Sequence, residues 1–500
     1  MGSERRRSGY YPRILLFIAL TTAMPLLVLP FYPEDARWAP TFLIPAGSAA
    51  LLGIVLSALS RMAPKGVRSE QTGSPRVWQS PLKSGSPPVL FAWCAAIVSG
   101  AAPFVLGGKL GTVRALFESA SGWTTAGLAV ADVGALPRVF LFHRALMQYC
   151  GGLGFIIIIA VVLQERQMMS MYNAEGHPDG FLPSLRRTST AIFLIYTGCL
   201  ALGTFAYRLF GMPVFDALCH AMSALSTAGF STRPGGIGEF DNIPVELVTS
   251  FLMLVGASNF AWLLLIVRRR FKRAARVSEA RFMFAVLAVF TVLMTLSLTL
   301  QYGKGFWDAL HNAVFSCVSM LSTTGYSTEN YALWPPTARV LMVVLMTLGA
   351  GTGSTAGGIK LLRAYILARA AKSNIQRRLS PSHSVRLMRY TRAQGEAPID
   401  DHLVHDALEF IFVYAAALIV GTLLITIFER GAASPSEALF EFNSVLGTGG
   451  VTNGLTARAS PATLIVEMLG MLMGRLEIFV FFLAIYSSFE KARDKIRKAQ

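Results

Sequence analysis

The sequence predicts an all-α integral membrane protein built from four similar repeats, and three observations lead to that fold class. Of 500 residues, 53% are hydrophobic and only 15% are charged, with a mean hydropathy of +0.51. Charged residues make up about a quarter of an average soluble protein. Apolar windows recur along the whole chain, each long enough for a helix of about 20 residues to cross a bilayer. One short Ser/Thr/Gly stretch also occurs four times.

Ten apolar windows are predicted to be transmembrane spans. They lie near 13–31, 39–60, 88–107, 137–163, 189–210, 244–267, 281–302, 335–371 (interrupted), 405–428 and 461–489. Continuous windows of this length favour helices over barrel strands. We interpret the first window as a span rather than a cleaved signal peptide, because so many spans follow it. The net charge of +17 is confined to the breaks between windows, so no nucleic-acid partner is expected.

Breaks rich in Lys and Arg alternate with breaks that are not. The basic ones are 60–84, 268–281, 360–392 and the tail 491–500. Because positively charged loops stay on the cytoplasmic side, we expect these breaks and both termini of this multi-pass protein to be cytoplasmic.

The repeated stretch aligns without a gap at all four places. The copies are "LFESASGWTTAGLAV" (116–130), "LCHAMSALSTAGFST" (218–232), "VFSCVSMLSTTGYST" (314–328) and "LFEFNSVLGTGGVTN" (439–453). In each copy a Ser precedes a Gly by the same spacing: Ser121 and Gly127, Ser223 and Gly229, Ser319 and Gly325, Ser444 and Gly450. Each copy follows a span and a short amphipathic segment, on the predicted extracellular side. Four copies in one topological place indicate internal repetition.

The composition of the stretch favours a cation filter. Non-helical backbone at membrane depth is tolerated only where it is buried in protein or lines a wet cavity. Gly permits a positive φ that turns carbonyl oxygens inward, and rings of carbonyls can replace the hydration shell of a cation. The alternative is a set of helix-contact motifs, since small residues let membrane helices approach closely. That alternative would suit a single copy better than four aligned ones.

Further motifs complete a family resemblance. "QYCGGLGFIII" (148–158), "GTGSTAGGIKLLR" (351–363) and "MGRLEIFVF" (473–481), with the four stretches, resemble the Trk/Ktr/HKT superfamily of potassium transporters, the bacterial Trk pore subunit in particular. The resemblance runs from about residue 88 to the C-terminus, and the two leading spans resemble an extra N-terminal helix pair. It implies a pseudo-tetrameric, potassium-channel-like pore of four span–pore-helix–span repeats, preceded by two extra transmembrane helices.

The resemblance also implies boundaries and site residues. The units are 1–87 with the helix pair and a basic loop, then repeats at 88–187, 188–280, 281–404 and 405–500. The implied filter residues are Thr125, Ala126, Gly127, Thr227, Ala228, Gly229, Thr323, Thr324, Gly325, Thr448, Gly449 and Gly450. In the fourth copy either Gly449 or Gly450 could be the equivalent glycine, and the gapless alignment favours Gly450. Superfamily members with Ser at the first glycine prefer Na⁺, so Gly in all four copies favours K⁺ as the transported ion, with no organic cofactor.

The stretch "TLGAGTGSTAGGIK" (347–360) is predicted to break the span that contains it, since each Gly costs a helix about 1 kcal/mol relative to Ala. A nucleotide-binding loop is not favoured, because the GxxxxGK[ST] order and a preceding strand are absent. The resemblance implies an intramembrane loop that gates the pore. Its gate residues would be Gly349, Gly351, Gly353, Ser354, Thr355, Gly357, Gly358, Lys360 and Arg475.

Arg475 lies inside the last predicted span, where an ionisable residue suggests a function. Two interpretations stay open and are compatible: Arg475 caps carbonyl groups of a broken helix, or it contacts the Gly-rich loop and adds a positive barrier. His402 and His405 could share a helix face, but a metal site would need a third ligand that the sequence does not offer.

Partners and location follow from the resemblance. It implies a homodimer in the bilayer of the bacterial cytoplasmic (inner) membrane, with a cytosolic nucleotide-binding regulatory ring of the Trk type. A secondary transporter for Na⁺ or another small substrate, with helices broken at mid-membrane, is the alternative, but it predicts two related halves rather than four quarters. An enzyme or scaffold is not expected, since acidic and His clusters are scarce in the spans.

Overall fold

A computed structural model of the chain describes residues 10–62, 81–154, 185–379 and 388–499. Two helices come first, α1 (Tyr10–Ala23) and α2 (Ala39–Met62), and both pack against the next helix, α3 (Pro81–Leu106). Most of the basic break 60–84 lies outside the described residues. The predicted N-terminal helix pair is thus a structural unit attached to the first repeat.

Each of the four repeats has an outer helix, a short pore helix and an inner helix. The first contains α3, α4 (Thr112–Trp123) and α5 (Arg138–Leu153). The second contains α6 (Leu185–Leu209), α7 (Val214–Leu225), α8 (Ile243–Ala257), α9 (Phe260–Val267) and the short α10 (Phe271–Ala274). The third contains α11 (Ser278–Tyr302), α12 (Phe306–Leu321), α13 (Pro336–Leu348) and α14 (Leu361–Leu379). The fourth contains α15 (Asp401–Phe428), α16 (Pro435–Leu446), α17 (Leu455–Arg458), α18 (Pro461–Arg475) and α19 (Ile478–Ala499).

The pore helices and inner helices interlock in a cycle. Each pore helix packs against the outer helix of its own repeat and against the inner helix of the preceding repeat. The inter-repeat pairs are α5 with α7, α8 with α12, α13 with α16, and α18 with α4. The last pair joins the fourth repeat to the first, and α19 also packs on α3. Four repeats in one chain therefore surround a single axis, and the predicted fold class is confirmed.

Two predicted spans are wrong as continuous helices. In the window 244–267, α8 and α9 meet at a bend of 113°, and in 461–489, α18 and α19 meet at 106°. The first break is stabilised by Asn259, whose side chain accepts the N–H of Ala261 and so caps α9. At the second break Glu477 takes a left-handed backbone conformation, with φ of 60°. The residues between the paired helices, 258–259 and 476–477, include no Gly or Pro from which a helix break could have been predicted.

The other predicted spans agree with the structure as far as it describes them. Six helices in the described residues are long and apolar enough to cross a membrane: Tyr11–Val28, Pro33–Ser60, Ser86–Leu106, Ser189–Leu209, Ser278–Tyr302 and Asp401–Phe428. The window 335–371 is interrupted as predicted, between α13 and α14. The window 137–163 contains α5, which ends before Gly154, and its remainder lies outside the described residues.

Several small elements connect the helices. An antiparallel hairpin of β1 (Arg389–Arg392) and β2 (Gly395–Pro398) follows α14, and the sequence analysis did not predict it. Short 3-10 helices lie at Met24–Val28, Pro33–Trp38, Val133–Ala135, Gly236–Phe240 and Tyr331–Leu333. At the start of α16, Ser434 and Glu437 form a capping box, and donation from Ser434 lowers the pKa of the Glu437 carboxyl below its usual value.

A buried ion pair in the first repeat also contacts the second repeat. Arg144 Nε donates to Glu118 Oε1 at 2.7 Å, and the side chains are 2% and 0% exposed. The same guanidinium donates to the carbonyl of Ser231 at 3.1 Å and lies 3.9 Å from the centre of the Phe230 ring. Glu118 Oε2 accepts the N–H of Val130 at 2.8 Å. The pair thus fixes the chain that leaves the Thr/Gly stretch in both repeats.

Replacing Arg144 by Ala is expected to destabilise the protein by about 3–5 kcal/mol, because the Glu118 charge would stay buried without a partner. The measurement is the midpoint of thermal unfolding in detergent. The matched control is Arg138→Ala on the same helix, whose pair with Glu34 is 51% and 63% exposed and should contribute about 1 kcal/mol or less. The double variant Glu118→Gln, Arg144→Met should recover much of the loss, and equal midpoints for the two single variants would contradict the assignment.

Candidate functional site

The four Ser/Thr/Gly stretches share one backbone conformation. A Thr follows each pore helix with a left-handed backbone: φ is 59° at Thr125, 51° at Thr227, 55° at Thr323 and 51° at Thr448. In the first repeat the next N–H, that of Ala126, donates to the carbonyl of Ser121 at 3.0 Å, and the corresponding bond recurs in the other three repeats. This is the Schellman motif that ends many helices, usually with Gly at the left-handed position. A Thr there is strained by about 1–3 kcal/mol, and such strain clusters at functional sites.

A glycine with positive φ follows two residues after each of these threonines. The values are 79° at Gly127, 80° at Gly229, 83° at Gly325 and 68° at Gly450. Gly449 is not among the residues with positive φ. By backbone conformation, Gly450 therefore occupies the position of the other three glycines, and Gly449 that of Ala126, Ala228 and Thr324.

These glycines form a closed ring with carbonyl groups of the adjacent repeats. A Cβ atom added to Gly127 would lie 2.1 Å from the carbonyl oxygen of Ala228. A Cβ atom added to Gly229 would lie 2.1 Å from the Thr324 oxygen, and one added to Gly325 would lie 2.5 Å from the Gly449 oxygen. One added to Gly450 would lie 2.9 Å from the Ala126 oxygen of the first repeat and 2.8 Å from the Thr324 oxygen of the third. Each glycine is thus seated against the backbone of the next repeat, in the order first, second, third, fourth and first again. Side chains larger than hydrogen do not fit this ring without displacing its oxygens.

The chemistry of the ring suits a cation. Its polar atoms are backbone carbonyl and threonine hydroxyl oxygens, and the four pore helices direct their partly negative C-termini towards it. The buried hydroxyls of Thr125 and Thr448 have no hydrogen-bond partner among the described residues. Buried polar groups are nearly always hydrogen-bonded. Hydroxyl oxygens that lack such a partner at the base of a carbonyl ring are candidate ligands for a desolvated cation.

The Gly-rich segment 349–360 between α13 and α14 is an irregular loop, as the sequence predicts. It lies along the break in the second repeat, where the N–H of Gly351 donates to the carbonyl of Ala257 at 3.0 Å and that of Thr355 to Gly256 at 3.1 Å. Within the loop a Cβ on Gly349 would be 2.2 Å from the carbonyl oxygen of Gly357, so the two ends of the loop are in close contact. The loop therefore satisfies the free carbonyl groups at the end of α8.

The same loop touches three of the four threonines at the ring. Gly357 N–H donates to Thr323 Oγ1 at 3.0 Å, and the hydroxyls of Thr355 and Thr227 are 2.9 Å apart. A Cβ on Gly357 would lie 2.2 Å from Thr448 Oγ1. The loop thus covers the threonine end of the ring, where it can obstruct a path along the axis.

Arg475, at the end of α18, holds the loop and a helix end together. Its guanidinium donates to the carbonyl of Thr355 at 2.5 Å and to that of Gly152 at 3.2 Å, and also to the carbonyl of Gly151. Arg475 therefore makes both contacts that were considered from the sequence, with the carbonyl groups at a helix end and with the Gly-rich loop. Lys360, with φ of 70°, donates from Nζ to the carbonyl of Ala356, and Arg363 pairs with Glu477 at 2.6 Å.

The remaining gate residues of the sequence analysis also lie in this loop. Ser354 Oγ donates to the carbonyl of Gly351 at 2.5 Å, and the Gly353 carbonyl accepts the N–H of Phe260 at 3.4 Å. Gly358, with φ of 74°, would place a Cβ 2.7 Å from the Cα of Gly349. The structure thus brings every predicted filter and gate residue into one continuous site.

Two polar residues of this site were not singled out from the sequence. Gln148 on α5 donates from Nε2 to the Ala228 carbonyl at 2.9 Å and accepts the N–H of Phe230 at 3.3 Å, so it braces both sides of Gly229. Asn443 on α16 donates to the Val343 carbonyl at 3.1 Å and accepts from Thr347 at 2.7 Å, which joins it to α13. The sequence signal that could have identified both residues is an uncharged polar side chain inside an apolar segment.

His402 and His405 do not form part of a metal-binding group among the described residues. His402 is exposed and lies 3.0 Å from Asp406. Within the described ranges no group of three or more His, Cys, Asp or Glu side chains could hold a metal ion.

Comparison with known proteins places the chain in a family. The TrkH family, described as a cation transport protein, matches residues 78–493. The Trk system potassium uptake protein TrkG of Escherichia coli (strain K12) is 31% identical over 414 residues, which cover 78% of this chain and 82% of the relative. This chain belongs to the TrkH family. A second TrkH-family protein, the Trk system potassium uptake protein TrkH of Halomonas elongata, is 27% identical over 93% of this chain and 95% of the relative.

A solved structure of the family has the same fold. The crystal structure of the potassium transporter TrkH from Vibrio parahaemolyticus matches with a TM-score of 0.80 at 24% sequence identity, covering 95% of this chain and 98% of that one. The match to the TrkH family and to these relatives confirms the resemblance recognised from the sequence motifs. Both named TrkH-family relatives are uptake proteins and not enzymes, in agreement with the sequence analysis.

Proposed function

We propose that this chain translocates K⁺ across a bacterial cytoplasmic membrane, through a selectivity filter formed by the twelve residues of the four Thr/Gly stretches. The observation that carries the proposal is the closed ring in which each filter glycine is seated against a carbonyl of the next repeat. Carbonyl and hydroxyl oxygens can replace the water around K⁺. The four-part cycle also favours a pore over a two-fold secondary transporter, and the potassium uptake proteins TrkG and TrkH are relatives.

The loop 349–360 is proposed to be the gate of this pore. Its support is the contact between Thr355, Gly357 and the filter threonines, together with the bond from Arg475 to the Thr355 carbonyl. Because the loop is Gly-rich and non-helical, it can move without unpacking a complete helix. Arg475 then stabilises the closed position and places a positive charge beside the ion path.

Regulation, assembly and orientation belong to the same proposal. The basic breaks and both termini face the cytoplasm, where a nucleotide-binding regulatory ring acts on a homodimer of this chain. The support is the charge asymmetry of the breaks and the resemblance to the Trk system. Native mass spectrometry of the purified protein in detergent should give twice the chain mass of 54.2 kDa. A single-chain mass would contradict the homodimer.

The transport proposal is tested by Rb⁺ uptake into liposomes that contain the purified protein and are loaded with K⁺. External K⁺ is expected to block Rb⁺ uptake at concentrations where Na⁺ does not, because the carbonyl ring is proposed to replace the hydration shell of K⁺. A variant lacking 351–355 is measured alongside, so that a closed gate cannot hide the pore. Equal competition by Na⁺ and K⁺ in both proteins would reject a K⁺ filter.

A further inference from the structure

Glu279, near the start of α11, is a buried carboxylate that reaches the Gly-rich loop from a neighbouring helix. It is 7% exposed. Its Oε1 accepts the backbone N–H of Thr352 at 2.6 Å, and its Oε2 accepts from Asn259 Nδ2 at 3.2 Å. The carboxylate therefore binds the tip of the loop and the break between α8 and α9 at the same time.

The bond to Thr352 joins a side-chain carboxyl group to the loop, and at 2.6 Å it is shorter than the neighbouring backbone contacts of the loop. The nearby loop contacts join backbone groups, such as Phe260 N–H to the Gly353 carbonyl at 3.4 Å and Gly351 N–H to the Ala257 carbonyl at 3.0 Å. In its ionised form a carboxyl group accepts hydrogen bonds that are shorter and about twice as strong as neutral ones. Glu279 is therefore a strong anchor for this part of the loop.

The surroundings of Glu279 connect the loop to the hairpin. The preceding residue, Ser278, accepts the N–H of Thr391 in β1 at 3.0 Å through its hydroxyl. Glu279 lines two cavities, one beside Gly351 and one beside the hairpin residue Tyr390. Glu279 therefore lies beside both the loop tip and the hairpin.

We propose that Glu279 is a positioning residue that holds the tip of the loop in its closed position. This inference rests on the proposed function, in which the loop is the gate, and it adds a second anchor at Thr352 to the contact of Arg475 with the Thr355 carbonyl. Loss of the carboxylate lowers the stability of the closed loop without touching the filter. It should therefore change how often the pore opens and leave its choice of ion unchanged.

The test compares basal Rb⁺ uptake, without any regulatory partner, for Glu279→Ala and wild-type protein in K⁺-loaded liposomes. We expect a rise of about tenfold, the change in an equilibrium that one hydrogen bond to a charged group can supply. Glu279→Gln, which keeps the volume and one carbonyl oxygen, should give a smaller rise and serves if the Ala variant does not fold. The matched control is Glu246→Ala: Glu246 is also 7% exposed but bonds His311 at 2.8 Å, and its loss should leave uptake unchanged.

Two further readouts separate a gating role from a general structural one. K⁺ should still outcompete Na⁺ in Glu279→Ala, and the substitution should add nothing in a chain already lacking 351–355. Wild-type uptake in both Glu279 variants, with raised uptake in the deletion, would overturn the role of Glu279 and leave the gate standing. Unchanged uptake in the deletion would overturn the gate and the anchor together. An equal rise in Glu246→Ala, or an additive effect in the deletion, would reduce Glu279 to a packing residue.

Discussion

Deletion of residues 351–355 is expected to raise basal Rb⁺ uptake by about tenfold or more. The segment includes Thr355, whose hydroxyl contacts the Thr227 hydroxyl and whose carbonyl accepts a hydrogen bond from Arg475. Each such hydrogen bond stabilises the closed position by about 1 kcal/mol, and more where a charge takes part. After the deletion the remaining loop keeps Gly357 but loses its contacts with Thr227 and Arg475. The measurement is the initial uptake rate in K⁺-loaded liposomes, normalised to protein that elutes as a single species.

The control for this prediction adds Gly325→Ser to the deletion. If the extra ions pass through the filter, the second change must abolish the gain, whereas leakage around a damaged protein would persist. Unchanged or lower uptake in a well-folded deletion would show that the loop is not a gate.

Gly325→Ser alone is expected to lower Rb⁺ uptake at least about tenfold and to bring the effects of K⁺ and Na⁺ as competitors closer together. The φ of Gly325 is 83°, and a Cβ there would lie 2.5 Å from the Gly449 oxygen and 2.6 Å from the Gly450 Cα. A side chain therefore requires both strained backbone and a displaced neighbour. Because ion choice depends on the placement of the ring oxygens, both rate and selectivity should suffer.

Gly303→Ser is the matched control for that substitution. Gly303 ends α11 in the same repeat with φ of 77°, and a Cβ added there would meet nothing within 4 Å. It carries the same backbone strain without a collision. Comparable losses in the two variants would attribute the effect to general destabilisation rather than to the filter.

The site was predictable from the sequence where four copies could be compared, and much less so elsewhere. The recurring Ser and Gly at constant spacing located all four Thr/Gly stretches. The small residues around Gly351 located the break after α13. The breaks in α8–α9 and α18–α19 were missed because they depend on tertiary partners: the loop supplies the N–H groups that satisfy Gly256 and Ala257. Glu279 and Gln148 were missed for the same reason, since their partners lie on other segments of the chain.

The ring of glycines and carbonyls has a consequence for biosynthesis. The contact between Gly450 and the Ala126 oxygen joins the last repeat to the first, so the ring cannot close until nearly the whole chain has been made. A ribosome-bound chain that ends after the third repeat has three quarters of the ring and an open side. Contacts between residues so distant in sequence form late in folding. A nascent chain of this protein therefore contains no complete ring until its fourth repeat has been made.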